Sequence, residues 1–288
     1  MDAGFRESLT RGEESGSRYA LRVPETALTG LTGQQVGRRA GSSIDFQDYR
    51  EYQPGDDLRT IDWNVYARTD KLTIKLFREE VNPHLDVLLD CSQSMNLTET
   101  RKGAAALELA AILAMAADNA RCTHSVWAAG EGFRRIANDN LRPTAWDGIN
   151  YDSGRNVDEA FAILPPRLRR TGIRVLISDL FWLGDPNATM RRLTEGCAAA
   201  FVLQVVAADD LEPPEHGNIH LIDSESGESL EMFIDSMVEQ RYRDAVAQHQ
   251  QSWHDACRRT GSRLVTLVAE KLDDMVTRLE EIELLVPA

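Results

Sequence analysis

The chain predicts a doubly wound α/β domain on a mostly parallel sheet, preceded by a turn-and-strand extension and carrying an inserted β-hairpin near its end. Three observations carry this expectation. The apolar runs at 85–89 and 173–177 each end in a carboxylate, Asp90 and Asp179. Helix-like and strand-like segments alternate between them, which is the pattern of strands joined by crossover helices. A third run, 199–207, is continuously apolar, as strands buried on both faces of a sheet are.

Taken in order, residues 1–40 read as a polar, Gly/Ser-containing lead, partly disordered or draped on the surface. Residues 41–83 read as the extension, packed on the domain. In Tyr52-Gln53-Pro54-Gly55-Asp56-Asp57 a fixed proline φ, a permissive glycine and two backbone-bonding carboxylates predict a tight turn. Leu72, Ile74 and Leu76 alternate with Thr73, Lys75 and Phe77, so a strand with one buried face follows. Asp56, Asp57, Arg59, Asp62 and Arg68 read as an ion-pair network pinning the extension to the domain, because charge density in a turn is ordinarily structural.

Residues 84–288 form the domain proper. A first strand at 84–90 feeds a helix near 100–120, whose Ala-rich run lets it pack closely on the sheet. Segments 123–129 and 133–137 make a hairpin around Gly130 and Gly132, and a polar stretch, 147–156, leads into a short helix. After the strand ending at Asp179 come a helix near 187–196 and the apolar strand at 199–207. A second hairpin, 218–223 with 229–234, turns at Ser224-Glu225-Ser226-Gly227-Glu228. Ser236 and Glu239 fit a capping box opening a long helix, whose apolar stripe includes Val238, Tyr242, His249, Trp253 and Cys257 and which Gly261 closes. His249 and Trp253 on that stripe read as core residues. A strand at 263–268 and a helix at about 271–285 end the layer.

The chemistry concentrates at Asp90-Cys91-Ser92-Gln93-Ser94, directly after the first strand. In open parallel sheets, ligands collect outside the strands' carboxyl ends, where the strand order reverses. Asp and Ser also end strands for purely local reasons, but Asp179 delivered to the same rim makes a candidate site. Its donors are hard oxygens, which suit Mg²⁺ or Mn²⁺. This pattern resembles the von Willebrand factor A fold and its metal-ion-dependent adhesion site. The resemblance implies that the Ser92 and Ser94 hydroxyls bind the metal, that Asp90 and Asp179 act directly or through water, and that a Thr on a third loop completes the set. Here that loop reads Ser153-Gly154-Arg155-Asn156, with Arg155 in the place of the Thr. A guanidinium has no lone pair for a metal and keeps its charge. Two readings stay open: a divalent ion held by Asp90, Ser92, Ser94 and Asp179, or Arg155 lying between the two carboxylates as an internal cation.

Upstream, Gly41-Ser42-Ser43-Ile44-Asp45-Phe46-Gln47-Asp48-Tyr49-Arg50-Glu51-Tyr52-Gln53-Pro54-Gly55-Asp56-Asp57-Leu58-Arg59-Thr60-Ile61-Asp62-Trp63, continuing through Ala67-Arg68-Thr69 to Lys71-Leu72, resembles the signature of the bacterial family called domain of unknown function 58. Its members carry an A-type domain directly afterwards, and looser similarity runs on to about Leu285. The resemblance implies a non-enzymatic adaptor or chaperone partner of MoxR-type AAA+ ATPases.

Bulk properties narrow the partners. With 32 Lys+Arg against 46 Asp+Glu the net charge is −14, which repels nucleic-acid phosphates and anionic membranes. The polar N-terminus and the lack of a long apolar run predict a cytoplasmic chain without a membrane span. The four cysteines show no metal-ligand spacing and read as reduced and mostly buried. No phosphate-binding loop ending in Gly-Lys-Ser/Thr occurs, and Gly130-Glu131-Gly132 is too short for a dinucleotide. The leading expectation is therefore a protein-interaction module with a degenerate adhesion site, where Arg155 and Asn156 meet a partner's acidic group or a bound ion does so. The alternative is a metal-dependent hydrolase or phosphotransferase using Asp90, although no pair of nucleophile and positioned base is visible.

Overall fold

The computed structural model describes residues 3–24, 27, 44–56, 58–79, 83–97, 100–137, 141–212, 216–223 and 227–288. They fall into two compact units: Met1–Ala27 together with Pro83–Ala288, and Leu28–Asn82. The larger unit begins with helix α1 (Ala3–Gly16) and strand β1 (Tyr19–Leu21). The smaller contains β2 (Ile44–Glu51), α2 (Trp63–Thr69) and β3 (Thr73–Glu79). The larger unit resumes with β4 (His84–Asp90), α3 (Lys102–Asn119), β5 (Thr123–Gly130), β6 (Gly132–Ala137), α4 (Val157–Ile163) and β7 (Ile173–Ser178). It continues through α5 (Pro186–Thr194), β8 (Ala199–Val206), the hairpin β9 (Gly217–Ile222) and β10 (Ser229–Ile234), α6 (Ser236–Arg259), β11 (Arg263–Val268), α7 (Leu272–Glu281) and β12 (Leu285–Pro287).

The expected doubly wound sheet is present. Its six strands run β11-β8-β7-β4-β5-β6, and every neighbour is parallel except β6, which turns back antiparallel on β5 at the edge. Counted within the sheet this is the order 3-2-1-4-5-6, so the reversal falls between β4 and β7, the two strands that end at Asp90 and before Asp179. Successive side chains of a strand point to opposite faces, and the core splits accordingly. Leu85, Val87, Leu89, Val175 and Ile177 pack with α3 and α7, whereas Leu88, Leu176 and Val202 pack with α4, α5 and Trp253 of α6.

Residues 3–21 depart from the expected polar lead. Residues 3–16 form a helix laid across α3, and β1 pairs antiparallel with β12, tying the N-terminal segment to the C-terminal strand. The physical cause is small size at two positions one turn apart. A Cβ added at Gly12 would lie 2.5 Å from the Glu108 carbonyl oxygen and 2.6 Å from the Ala111 Cβ, and one at Gly16 would lie 2.7 Å from the Ile112 carbonyl oxygen. Leu9 and Leu21 are buried in the contact, and Arg11 reaches Glu108 at 2.9 Å. α3 is thus covered on both sides, by the sheet and by α1, which explains why nearly all of its Ala-rich length is buried.

Other expectations differ in detail. The long helix α6 is capped by Asp235, whose carboxylate accepts from the Met237 and Val238 amides at 2.9 and 2.8 Å; Ser236 is already helical, and Glu239 instead pairs with His216 and Arg243. In the smaller unit Asp56 binds Arg50 at 2.8 Å, and Asp62 is a helix cap for α2 that also accepts from the Tyr49 hydroxyl at 3.2 Å. These acids serve the turn and the helix of their own unit. Gly41, Ser42, Ser43, Asp57 and the turn residues 224–226 lie outside the described residues, as do the side chains of Leu76 and Phe77. No helix among the described residues is long and apolar enough to cross a membrane.

Gly12→Val tests the close approach of α1 and α3. Overpacking of this kind costs about 1–3 kcal/mol, so a lower urea midpoint at unchanged slope is expected. An unchanged midpoint would mean that α1 is free to withdraw from α3.

Candidate functional site

The rim forms where β4 and β7 end side by side. Asp90 closes β4 and is buried, with both carboxylate oxygens engaged: one accepts the Ser92 amide at 3.0 Å, the other the Ser178 hydroxyl at 2.6 Å. Ser178, the last residue of β7, in turn accepts the Leu180 amide at 2.9 Å. That bond and complete burial hold Leu180 at φ 63°, a left-handed conformation unusual for a branched residue, so the loop after Asp179 has a single shape. The Ser92 and Ser94 hydroxyls lie 3.0 Å apart and bond to each other. Burial pushes the Asp90 carboxyl up to about 6, and the nearby Asp179 charge adds to the shift; the bonds from Ser178 and Ser92 oppose it.

The third loop is stitched to the first through its backbone. Ser92 and Ser153 form a parallel bridge, and the Gln93 amide donates to the Ser153 carbonyl at 2.9 Å. Arg155 does not lie between Asp90 and Asp179, as the internal-cation reading had it. Its Nε pairs with Glu131 at 2.7 Å on the exposed surface, because Glu131, in the tight β5–β6 turn, is the carboxylate its side chain meets. Asn156 is the helix cap of α4: its side chain accepts the Glu159 amide at 3.1 Å while Glu159 accepts the Asn156 amide at 3.2 Å.

The internal cation is Lys102, the first residue of α3. Its ammonium lies 3.0 Å from Asp179 and 3.1 Å from Asp210, and its side chain is only 1% exposed. Burial works to lower its pKa, but the two carboxylates together hold it above the ordinary value, so the group stays charged. Phe181 lies 5.8 Å below the ammonium and stacks on His249, whose Nε2 donates to the Leu180 carbonyl at 2.8 Å. Gly103 lets the helix start come close: a Cβ there would lie 3.0 Å from the Met95 carbonyl oxygen. The other oxygen of Asp179 accepts the Phe181 amide at 3.1 Å, and the Asp210 oxygen that meets Lys102 also accepts the Ala207 amide at 2.8 Å. The Tyr242 hydroxyl of α6 donates to the Asp210 carbonyl at 3.0 Å, which joins the long helix to the cluster.

Set against a divalent ion, the rim does not fit. Both oxygens of Asp90 and of Asp179 already have protein partners, and one Asp179 oxygen is taken by a cation. The two serine hydroxyls are bonded to each other. Ser153, the third-loop residue with a hydroxyl, uses it on the backbone of Arg155 at 3.1 and 3.3 Å. Among the described residues, the buried Nε of Arg174 and Nε1 of Trp253 have no hydrogen-bond partner, and neither belongs to the rim.

The structure brings the expected Asp90, Ser92, Ser94 and Asp179 to one rim and adds Lys102, Ser178 and Asp210, which the sequence did not single out. Two signals were available. Lys102 is the cation within a largely apolar, Ala-rich helix, and Asp209-Asp210 repeats, after the third apolar run, the pattern of a strand followed by a carboxylate. At the opposite, amino-terminal end of the sheet Ser125, His84 and Asp86 come together without forming a catalytic relay. Ser125 and Asp86 approach the same ring nitrogen of His84, at 3.1 and 3.3 Å, the other nitrogen meets Thr123 at 2.7 Å, and all three are buried. Cys91 beneath the rim is buried and its thiol is pushed well up by burial and by Asp90, the reverse of a reactive thiolate.

The family model for the protein of unknown function DUF58 matches residues 48–252, which is most of the chain, and the protein belongs to that family. Uncharacterised proteins of Mycobacterium bovis and Mycobacterium tuberculosis are 28% identical over 289 residues, covering 92% of this chain and 89% of theirs. Among solved structures, a conserved hypothetical protein BatB from Bacteroides thetaiotaomicron matches with a TM-score of 0.38 at 13% identity, over 70% of this chain and 98% of its own. A von Willebrand factor type A protein from Catenulispora acidiphila matches with a TM-score of 0.37 at 11% identity, over 70% of this chain and 42% of its own.

Asp90 makes the rim's electrostatics measurable. Because folding raises its pKa from 3.8 to about 6, the stability it contributes is complete below the lower value and is lost as pH rises through the higher one. Asp90→Asn cannot ionise, so it should gain about 1–3 kcal/mol relative to wild type between about pH 4 and about pH 7 in urea titrations. A difference that stays constant over that range would contradict the assignment.

Proposed function

We propose that the chain is a non-enzymatic protein-interaction module that receives a protein partner at this rim, as an adaptor or chaperone partner of a MoxR-type AAA+ ATPase. The observation that carries this reading is the contrast between a rigid, buried polar floor and the exposed Arg155–Glu131 pair beside it. An exposed ion pair is worth about 1 kcal/mol at most. Arg155 therefore exchanges Glu131 for a partner's carboxylate at little cost and can grip it with two hydrogen bonds. The floor beneath, fixed by Ser178, Leu180 and Lys102, holds the loops in place for that contact. Family membership and the strand order of an A-type sheet support the same reading.

The hydrolase alternative finds less support. A nucleophilic carboxylate needs a free oxygen aimed at open space, whereas Asp90 is buried with both oxygens bonded. Steady hydrolysis of a generic phosphoester that disappears in Asp90→Asn would move the assignment to that alternative.

The direct test is binding of the purified MoxR-type ATPase of the same organism by biolayer interferometry. Arg155→Glu should weaken capture by about tenfold or more, a loss of about 1.4 kcal/mol. Absence of binding by the wild type, or equal binding by the variant, would count against the reading.

A further inference from the structure

We propose that the rim works without a divalent ion and that the Lys102 ammonium permanently takes the place such an ion would fill. The inference starts from position. Lys102 comes from the start of α3, Asp179 from the loop after β7 and Asp210 from the segment after β8, so three elements meet at one buried point. A cation there performs the structural task of a bound metal: it neutralises carboxylates that the fold has forced together and fixes the loops that carry them. An ammonium does this with hydrogen bonds to Asp179 and Asp210 at 3.0 and 3.1 Å and with the ring of Phe181 beneath it. Unlike a metal, it is covalently attached and cannot be washed out or chelated.

Two further observations point the same way. A fixed positive charge against Asp179 repels an incoming divalent ion from the oxygens that would attract it. The hydroxyls of Ser92, Ser94 and Ser153 are bonded within the loops, so an incoming ion would compete with the protein for them. Arg155 plays no part in this exclusion, because its guanidinium is engaged by Glu131 on the exposed surface.

The ion content of the rim is measurable without any partner, so its outcome is independent of whether an ATPase binds there. The experiment is calorimetric titration of the whole purified chain with MgCl₂ and with MnCl₂, for the wild type, Arg155→Thr and Lys102→Met. The wild type should show no saturable heat into the millimolar range, and Arg155→Thr should behave identically although it restores a third-loop hydroxyl. Lys102→Met should bind Mn²⁺ about tenfold or more tighter than the wild-type limit, because its carboxylates are left without a counter-charge. Saturable wild-type binding that is lost in the Ser92→Ala, Ser94→Ala double variant would overturn the proposal. So would gain of binding in Arg155→Thr, or a folded Lys102→Met that binds no ion. If Lys102→Met does not fold, the other titrations still decide the matter.

Discussion

A single buried ammonium sets the terms for the carboxyl end of this sheet. Lys102 sits between Asp179 and Asp210 at hydrogen-bond distance with almost no exposure. Ionised groups of this kind are expensive to bury, and their attraction compensates only when the remaining bonding positions are also filled. Here the second oxygen of Asp179 takes the Phe181 amide, the Asp210 oxygen that meets Lys102 also takes the Ala207 amide, and the aromatic face of Phe181 underlies the cation. Asp90, one strand over, has no cation of its own and relies on Ser178 and Ser92, which is why burial leaves its carboxyl so readily protonated. The rim is thus polar and charged, with most of its groups bonded within the protein.

The rest of the larger unit can be understood as the support for that point. Lys102 is placed by the start of α3, and α3 is clamped between the sheet and α1 by the close approach of Gly12 and Gly16. Pairing of β1 with β12 ties the beginning of the described chain to its end on the same side. From the other direction, α6 reaches the cluster twice, through Tyr242 to Asp210 and through His249 to Leu180. The helix that carries the β9–β10 hairpin at its start is therefore mechanically joined to the rim loops.

What the sequence revealed followed from periodicity. The apolar runs, both hairpins and the long helix were legible because continuous or alternating hydrophobicity reports burial directly. α1 was not legible: its sequence is mostly polar, and what fixes it is two missing side chains, Gly12 and Gly16, whose meaning appears only when α3 is beside them. An internal cation was one of two open readings, and it was assigned to Arg155, the charged residue standing where a ligand was missing. Lys102 is equally charged and lies 77 residues from its partner Asp179, a pairing that only the crossover topology brings about. Of the acids at 52–62, Asp56 binds Arg50 within its turn and Asp62 caps α2, while Asp57 lies outside the described residues.

The most direct test of this account is a double-mutant cycle between Lys102 and Asp179, using Lys102→Met, Asp179→Asn and the double variant in equilibrium unfolding. Removing one partner of a buried pair costs about 3–5 kcal/mol because the other is left uncompensated. The account predicts that the double variant recovers part of this loss, with a coupling energy of about 1–3 kcal/mol. Additivity within about 0.5 kcal/mol would mean that the two groups do not act as a pair and would contradict the central role given to Lys102.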